Sequence, residues 1–431
     1  MTANSTLVVP PPAPSAAAVL DHIRPGMDLI VPSDNGEPVT ILDAIEAAAA
    51  RLERVTVHQA LAVHDRKYHA GAFGDRLRHV SYFLTPALRE HHDRGTVDLM
   101  PNDLSSIPAI LRARTTDPLM IVSASPPDPQ GYVSLGTTAV YSAALLGRVR
   151  VFVEANRRMP RTVGRNQLHL SKALGWVEAD YPLASPPPLP ITDTDRAIGA
   201  FVAERIPNGA TLQIGIGAVP DAVAASLNGH RDLGVHTELL ADGLRRLIEC
   251  GAATGAHKTY ARGQAVTTDA YGSAELYTFL HENRHVQFWP VNETNDVRVI
   301  SLHANFCAVN ATMQVDLLGQ CASESLGSHY VSSSGGQADF MRAAVYSEGG
   351  QSFIVTHSTA VNGTISRIQP TLSPGAIVTT HKNLTDKVVT EHGVAELRGR
   401  TIRERATALI AIAAPAFRDE LRATARRLGY I

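Results

Sequence analysis

The sequence predicts an α/β protein made of two tandem domains with mainly parallel sheets. Three observations predict it. Short runs rich in Val, Ile and Leu alternate with helix-like amphipathic runs along the chain, the pattern of doubly wound sheets. At 431 residues the chain is too long for one small core. The stretch Tyr181-Pro-Leu-Ala-Ser-Pro-Pro-Pro-Leu-Pro190 is dense enough in proline to forbid helix and central strand, and reads as an extended connector. The expected layout is a loose tail over 1–18, an N-terminal domain over 19–190 ending in that connector, and a C-terminal domain over 191–431.

The two halves open alike. Ile23-Arg-Pro-Gly-Met-Asp-Leu-Ile-Val31 leads through Asn35-Gly-Glu-Pro38 into a helix-like run, Ile41 to Leu52. Ile206-Pro-Asn-Gly-Ala-Thr-Leu-Gln-Ile214 leads through Gly215-Ile216-Gly217 and Pro220 into a second, Asp221 to Leu227. Each is a turn, a strand, a glycine loop, a proline near the helix start, and a helix. Strands are also predicted at Leu119 to Ala124, Arg150 to Glu154, His285 to Trp289, Cys307 to Asn310 and Ser352 to Thr356. Thr192 or Asp193 caps a helix reaching about Ile206, and two helices flank Pro415 near the end.

Composition narrows the function. Hydrophobic residues make up 44% and charged residues 19%, ordinary for a globular enzyme. A formal net charge of −2 offers no overall electrostatic case for nucleic acid or an anionic membrane. No apolar run reaches the ~18 residues of a membrane span, and the first residues lack the basic and apolar blocks of a signal peptide. The three cysteines, Cys250, Cys307 and Cys321, show neither metal-ligand spacing nor a disulfide framework. The expected setting is cytoplasmic. No metal site is expected: there is no HExxH pattern, and His91 and His92 are merely adjacent.

The most informative stretch is Asp232-Leu-Gly-Val-His-Thr-Glu238, a strand-like run ending on a glutamate, with Leu240, Leu244, Leu247 and Ile248 at helical spacing behind it. A carboxylate at the carboxyl end of a strand stands where open α/β sheets bind ligands. The Gly215-Ile216-Gly217 loop ends a neighbouring strand. A carboxylate near a backbone-amide cradle suits acyl chemistry, in which an oxyanion must be held as it forms. The plain alternative for Glu238 is a helix N-terminal glutamate favoured by the macrodipole. His236 and Thr237 read as packing or capping groups. A dinucleotide fingerprint is a rival for the glycine loop, but Pro220 stands where a third glycine belongs. Gly335-Gly336 begins a second glycine turn in Ser334-Gly335-Gly336-Gln337-Ala-Asp-Phe340. Glu391 and Glu396 are rival carboxylates, for which nearby Arg398 is the expected ion-pair partner.

Taken together these residues resemble one family, the acetyl-CoA hydrolase/transferase family of class I CoA-transferases, which includes 4-hydroxybutyrate CoA-transferase. The resemblance runs from Ile23 to the C-terminus through Gly131 to Gly136, Asn156 to Gly164, Gln213 to Pro220, Leu233 to Glu238, Val315 to Gln320, Gly335 to Phe340, Ile365 to Ile368 and Thr390 to Gly399. It implies two CoA-transferase-like α/β domains, with Glu238 as a nucleophile that carries CoA as a thioester in ping-pong catalysis. It further implies that Gly215, Ile216, Gly217, Gly335 and Gly336 line the CoA thioester, and that Asn295 matches an asparagine contacting CoA. The substrates would be acyl-CoA and small carboxylates, with no permanently bound cofactor and no nucleic-acid or membrane partner, in a homo-oligomer of two or more chains. Two departures touch CoA binding: Val361 stands where relatives carry a basic residue, and Asn292 to Arg298 lacks a proline common there. An acyl-CoA hydrolase using the same glutamate is the first alternative. A nicotinamide-dependent oxidoreductase and a non-catalytic acyl-CoA-binding module follow.

Overall fold

The computed structural model describes residues 8–431 and divides into two compact units. One runs from the first described residue to Asn102 and adds 106–186 and 268–292. The other comprises 103–105, 187–267 and 293–431. Both are mixed α/β with mainly parallel sheets, the fold class read from the sequence.

The first unit is built on seven strands: β1 (Asp28–Ile30), β2 (Val55–Ala60), β3 (Leu77–Phe83), β4 (Val97–Leu99), β5 (Leu119–Ala124), β6 (Arg150–Asn156) and β7 (Gly175–Ala179). Their order is β7-β6-β5-β1-β2-β3-β4, and every neighbouring pair is parallel. Strand β5 lies where the order reverses. All six of its residues are buried, which explains its unbroken Leu-Met-Ile-Val run. Helix α1 (Val39–Ala47) starts after Pro38 and packs Ile41, Leu42 and Ile45 on Leu29, Val57 and Ile121. The helix expected to reach Leu52 stops at Ala47, and a 3-10 turn, Ala49–Arg51, completes the segment.

The described part of the expected loose tail is tied down instead. Ala13 N–H donates to the Trp176 carbonyl at 2.7 Å, and the Trp176 indole donates to the Pro10 carbonyl at 2.7 Å. Val9 packs against Gly131, and a 3-10 turn, Ala16–His22, buries Val19. Trp176 sits on β7, an edge strand with unpaired backbone groups. An extended proline-rich segment has the free carbonyls to cover such an edge. Residues 1–7 of the tail lie outside the described residues.

The second unit opens with helix α2 (Asp193–Ala203), whose expected cap forms as a full capping box between Thr192 and Asp195. Its sheet contains β8 (Thr211–Ile214), β9 (Gly234–Val235), β10 (Phe306–Ala311), β11 (Gln351–Val355), β12 (Lys387–Thr390) and β13 (Gly393–Glu396). The order is β9-β8-β10-β11-β12-β13, parallel except for the terminal hairpin. Helix α3 (Ala218–Ser226) follows β8, α4 (Asp242–Glu249) follows β9, and α5 (Gln337–Tyr346) precedes β11. The last two helices, α6 (Ile402–Ile412) and α7 (Arg418–Arg427), pack Leu409, Ile410 and Leu421 onto Val315, Ile354 and Val388. Among the described residues no helix is long and apolar enough to cross a membrane.

Candidate active site

The strand carrying Glu238 is shorter than the sequence suggests. Strand β9 ends at Val235: His236 N–H still donates to Leu212 of β8, but Thr237 N–H turns away to Val266. Helix α4 begins only at Asp242, with Ala241 as its cap. Glu238 is therefore not an N-terminal residue of that helix, and the plain macrodipole reading fails for α4. Its surroundings come from elsewhere in the unit.

Two segments distant in sequence converge on its side chain. Asn295 Nδ2 donates to Glu238 Oε2 at 2.7 Å. Gly336 lies so close that a β-carbon built on it would overlap Oε2 and crowd Asn295 Nδ2. Glycine is required there for the space it leaves. Gly336 is also the N-cap of α5, a ten-residue helix, so the carboxylate sits at a helix start that favours negative charge. Gly335, at φ 55, turns the chain into that helix, and its carbonyl accepts from Leu104 N–H at 3.1 Å. The Glu238 carbonyl accepts from Thr267 Oγ1 at 3.1 Å, which fixes the backbone, while the side chain is half-buried.

The glycine loop behaves differently. Gly215 N–H is taken by the Val309 carbonyl at 3.0 Å, so the donors left to this loop are the amides of Ile216 and Gly217. Ile216 is 58% exposed at the loop tip. Gly217 caps α3 at φ 121, a conformation open to glycine, and Pro220 occupies the first turn of α3, where a missing N–H costs nothing. A β-carbon on Gly215 or Gly217 would find its nearest neighbours at 3.6 and 3.8 Å. Strands β8 and β9 are parallel neighbours, so loop and glutamate leave the sheet at the same end. The contacts that join Glu238 to Asn295 and Gly336 do not extend to the loop.

A buried group of bases supports this end of the unit. His236 is fully buried; its Nε2 donates to the Thr294 carbonyl at 2.7 Å, tying the chain just before Asn295 to the chain just before Glu238. Burial first, and Lys258 second, hold its pKa down to about 3, so the ring is neutral. Lys258 Nζ donates to the carbonyls of Val235 at 2.9 Å and Gln264 at 2.8 Å, and burial lowers its pKa to about 7. Thr237 makes the local bond expected of it, Oγ1 to the Leu239 carbonyl at 3.2 Å.

The rival carboxylates have other partners than the sequence suggests. Arg398 turns away from both, toward Asp386 at 3.4 Å and the Gly350 carbonyl. Glu396 pairs with Arg205 at 3.3 Å and Lys387 at 3.5 Å. Glu391 accepts from Ser358 N–H at 2.9 Å and Ser358 Oγ at 2.5 Å. The misreading has a simple cause: the turn between β12 and β13 sends these neighbours in sequence to different sides.

Sequence reasoning missed Asp339 and Ser105. Asp339 is buried in the first turn of α5, accepting from Ser105 Oγ at 2.9 Å and Ser105 N–H at 3.2 Å. The Asn295 carboxamide favours its ionised form. An Asp in the first turn of a helix reads as ordinary dipole compensation, so only its burial could have singled it out. Among the described residues no group of three or more His, Cys, Asp and Glu side chains is placed to share a metal ion.

Both α/β units have mainly parallel sheets, and the second presents a carboxylate held by an amide just past a strand end. The chain belongs to the acetyl-CoA hydrolase/transferase family. That family's N-terminal domain model matches 14–189 and its C-terminal domain model 272–425. Glu238 falls between the two matches; Asn295, Gly336 and Asp339 fall inside the second. The chain is 40% identical to a succinyl-CoA:cyclohexane-1-carboxylate CoA transferase of Geobacter metallireducens, covering 96% of this chain and 94% of that one. It is 37% identical to a 4-hydroxybutyrate coenzyme A transferase of Clostridium kluyveri, covering 90% of each. The crystal structure of RipA from Yersinia pestis superposes with a TM-score of 0.91 at 34% identity, covering 97% of both chains. An acetyl-CoA hydrolase of Saccharomyces cerevisiae is more distant, 28% identical over 257 residues, covering 56% of this chain and 46% of that one.

Proposed function

We propose that this chain is a CoA-transferase that moves CoA from an acyl-CoA to a small carboxylate through a glutamyl-CoA thioester on Glu238. The supporting observation is the carboxylate itself: one oxygen is fixed by a neutral carboxamide, against bare backbone at a helix start. The named CoA-transferases among its relatives support the same reaction class.

In this reading a Glu238 oxygen attacks the acyl-CoA carbonyl, the C–S bond breaks, and CoA thiolate leaves an acyl-glutamyl anhydride. The thiolate then attacks the glutamyl carbonyl and expels the acyl group as a free carboxylate. A second carboxylate enters and the steps run in reverse. Charge and atoms balance without a net proton, and no redox step is needed. A carboxylate side chain is required because it alone can hold both the acyl group and CoA in turn. An ordinary Glu, with a pKa of about 4.3, is ionised at neutral pH without a general base. Its weak nucleophilicity is offset by CoA binding energy expressed in the transition state. Amides at the start of α5, and those of Ile216 and Gly217, are the proposed oxyanion donors, each worth on the order of 3 kcal/mol. Asn295 and the Gly335–Gly336 turn would border the thioester. The three free cysteines fit the cytoplasmic setting that belongs to the same reading.

Hydrolysis by water at the same intermediate is the second reading, favoured by the acetyl-CoA hydrolase among the distant relatives. Initial rates at several acceptor concentrations separate the two. The transferase gives parallel double-reciprocal lines and acyl exchange much faster than net hydrolysis. Thioester loss that ignores added carboxylates would make the protein a hydrolase. Intersecting lines would remove the covalent mechanism.

A further inference from the structure

The Asn295 carboxamide donates to a Glu238 oxygen, so what orients that amide matters. The residue is fully buried, and among the described residues its Oδ1 has no hydrogen-bond partner. An amide is normally fixed by an acceptor on its nitrogen side and a donor on its oxygen side. Here the oxygen side contributes nothing. Orientation is then left to the Nδ2 side, which donates to Glu238 and acts on a second carboxyl group, Asp339.

Asp339 is itself anchored from an unexpected place. The three residues 103–105 belong to the second unit although the chain around them belongs to the first. They dock on the start of α5. Leu104 N–H reaches the Gly335 carbonyl at 3.1 Å, and Ser105 gives both its N–H and its hydroxyl to Asp339. Hydrogen bonds thus run from Ser105 to Asp339 and from Asn295 to Glu238, and the Asn295 carboxamide also favours the ionised Asp339 carboxyl, beside the glycine that walls the nucleophile.

Resting on the transferase reading above, we propose that Asp339 is a positioning residue for the reaction: clamped by Ser105, it holds the Asn295 carboxamide so that Nδ2–H stays aimed at Glu238. Both Ser105 donors reach Asp339, and the Asn295 carboxamide also favours its charged form, an arrangement suited to the ionised acceptor. The charged and titratable neighbours facing it are Asp103 and, across the amide, Glu238. Burial first, and Asp103 second, raise its pKa to about 7. Protonation below that pH removes acceptor capacity and loosens the clamp, so turnover falls as pH drops through about 7.

The test compares Asp339→Asn, Ser105→Ala and Glu238→Ala, each checked for a native melting transition. Asp339→Asn lowers kcat about 10- to 100-fold, the range of one lost hydrogen bond to a charged group, leaves the acyl-CoA KM within about threefold, and abolishes the inflection near pH 7. Ser105→Ala removes one donor to the ionised form, so the inflection moves to higher pH. If Asp339→Asn does not fold, Ser105→Ala carries the test. Folded Asp339→Asn with wild-type kcat, or Ser105→Ala with an unmoved inflection, overturns the inference while an inactive Glu238→Ala leaves the nucleophile intact. An active Glu238→Ala overturns the transferase mechanism itself.

Discussion

Glu238 and Glu391 stand in the same unit, each just past a strand of the six-stranded sheet, β9 and β12. They are held in opposite ways. Glu391 has both oxygens engaged by Ser358, with His392 3.6 Å away. Burial raises its pKa, but the Ser358 bonds outweigh burial and leave it below the ordinary carboxylate value. Such a carboxylate is stabilised as the anion and is a poor nucleophile. Glu238 accepts from a neutral donor, the Asn295 carboxamide, on Oε2, and lies against a glycine where any side chain would push it aside. Position at a strand end makes both candidates. The donors, and the space beside the oxygens, separate a carboxylate that braces a hairpin from one that can attack.

The widest gap should appear when each is removed. Glu238→Ala is expected to lose at least about 1,000-fold in kcat, the scale of removing a covalent nucleophile. Glu391→Gln should keep activity within about threefold and instead lower Tm by a few degrees, as loss of a buried hydrogen-bond pair does. Equal losses of activity in the two variants would erase the distinction.

A smaller effect tests the space around Glu238. Gly336→Ala introduces a methyl group onto Oε2 and Nδ2, and should cost about 100-fold in kcat by displacing the carboxylate. Gly217→Ala meets no atom closer than 3.8 Å and should cost about tenfold or less through backbone strain alone. The reverse ranking, measured on folded variants, would move the centre of the site to the 215–217 loop.

The smallest effect concerns stability. The base of the Glu238 region is built from buried bases whose pKa values burial lowers: His236 to about 3, His303 to about 2 and Lys258 to about 7. All three are depressed, so the unfolded chain binds more protons than the folded one. For the histidines this holds between those low values and about 6.5, and for Lys258 between about 7 and 10.5. Stability from these groups therefore rises with pH, and Tm should be several degrees higher at pH 8.5 than at pH 5.5. The raised carboxyls of Asp339 and Asp269, near 7 and 6, oppose this on the acid side only. Lys258→Met should flatten the alkaline part of the slope. An unchanged slope in that variant would show that the lysine is not buried as described.

Much of this comparison is legible in the sequence, and its limits are physical. The glutamate and the glycine turn announce themselves because strand ends and glycine loops are local patterns. That Asn295 and Gly336 meet Glu238 is not legible locally, since 57 and 98 residues of chain separate them from it; the family resemblance offers Asn295 only as a CoA contact and Gly336 as lining the thioester. Asp339 stayed hidden because a first-turn aspartate is common, and its partner Ser105 arrives from a distant segment. The loose tail and the Arg398 pairing were misread for one reason: sequence proximity and composition do not say which sheet edge or turn will supply a partner. Strand β9 is shorter than the sequence suggests because the Thr237 amide leaves β8 for Val266, a turn that side-chain type does not show.

The most direct test of the central claim is to incubate the enzyme with acyl-CoA, digest it and locate the CoA adduct by mass spectrometry. The account predicts an added CoA mass on the peptide containing Glu238, removed when an acceptor carboxylate is supplied. An adduct on the Glu391 peptide, or full turnover without any adduct on Glu238, would contradict it.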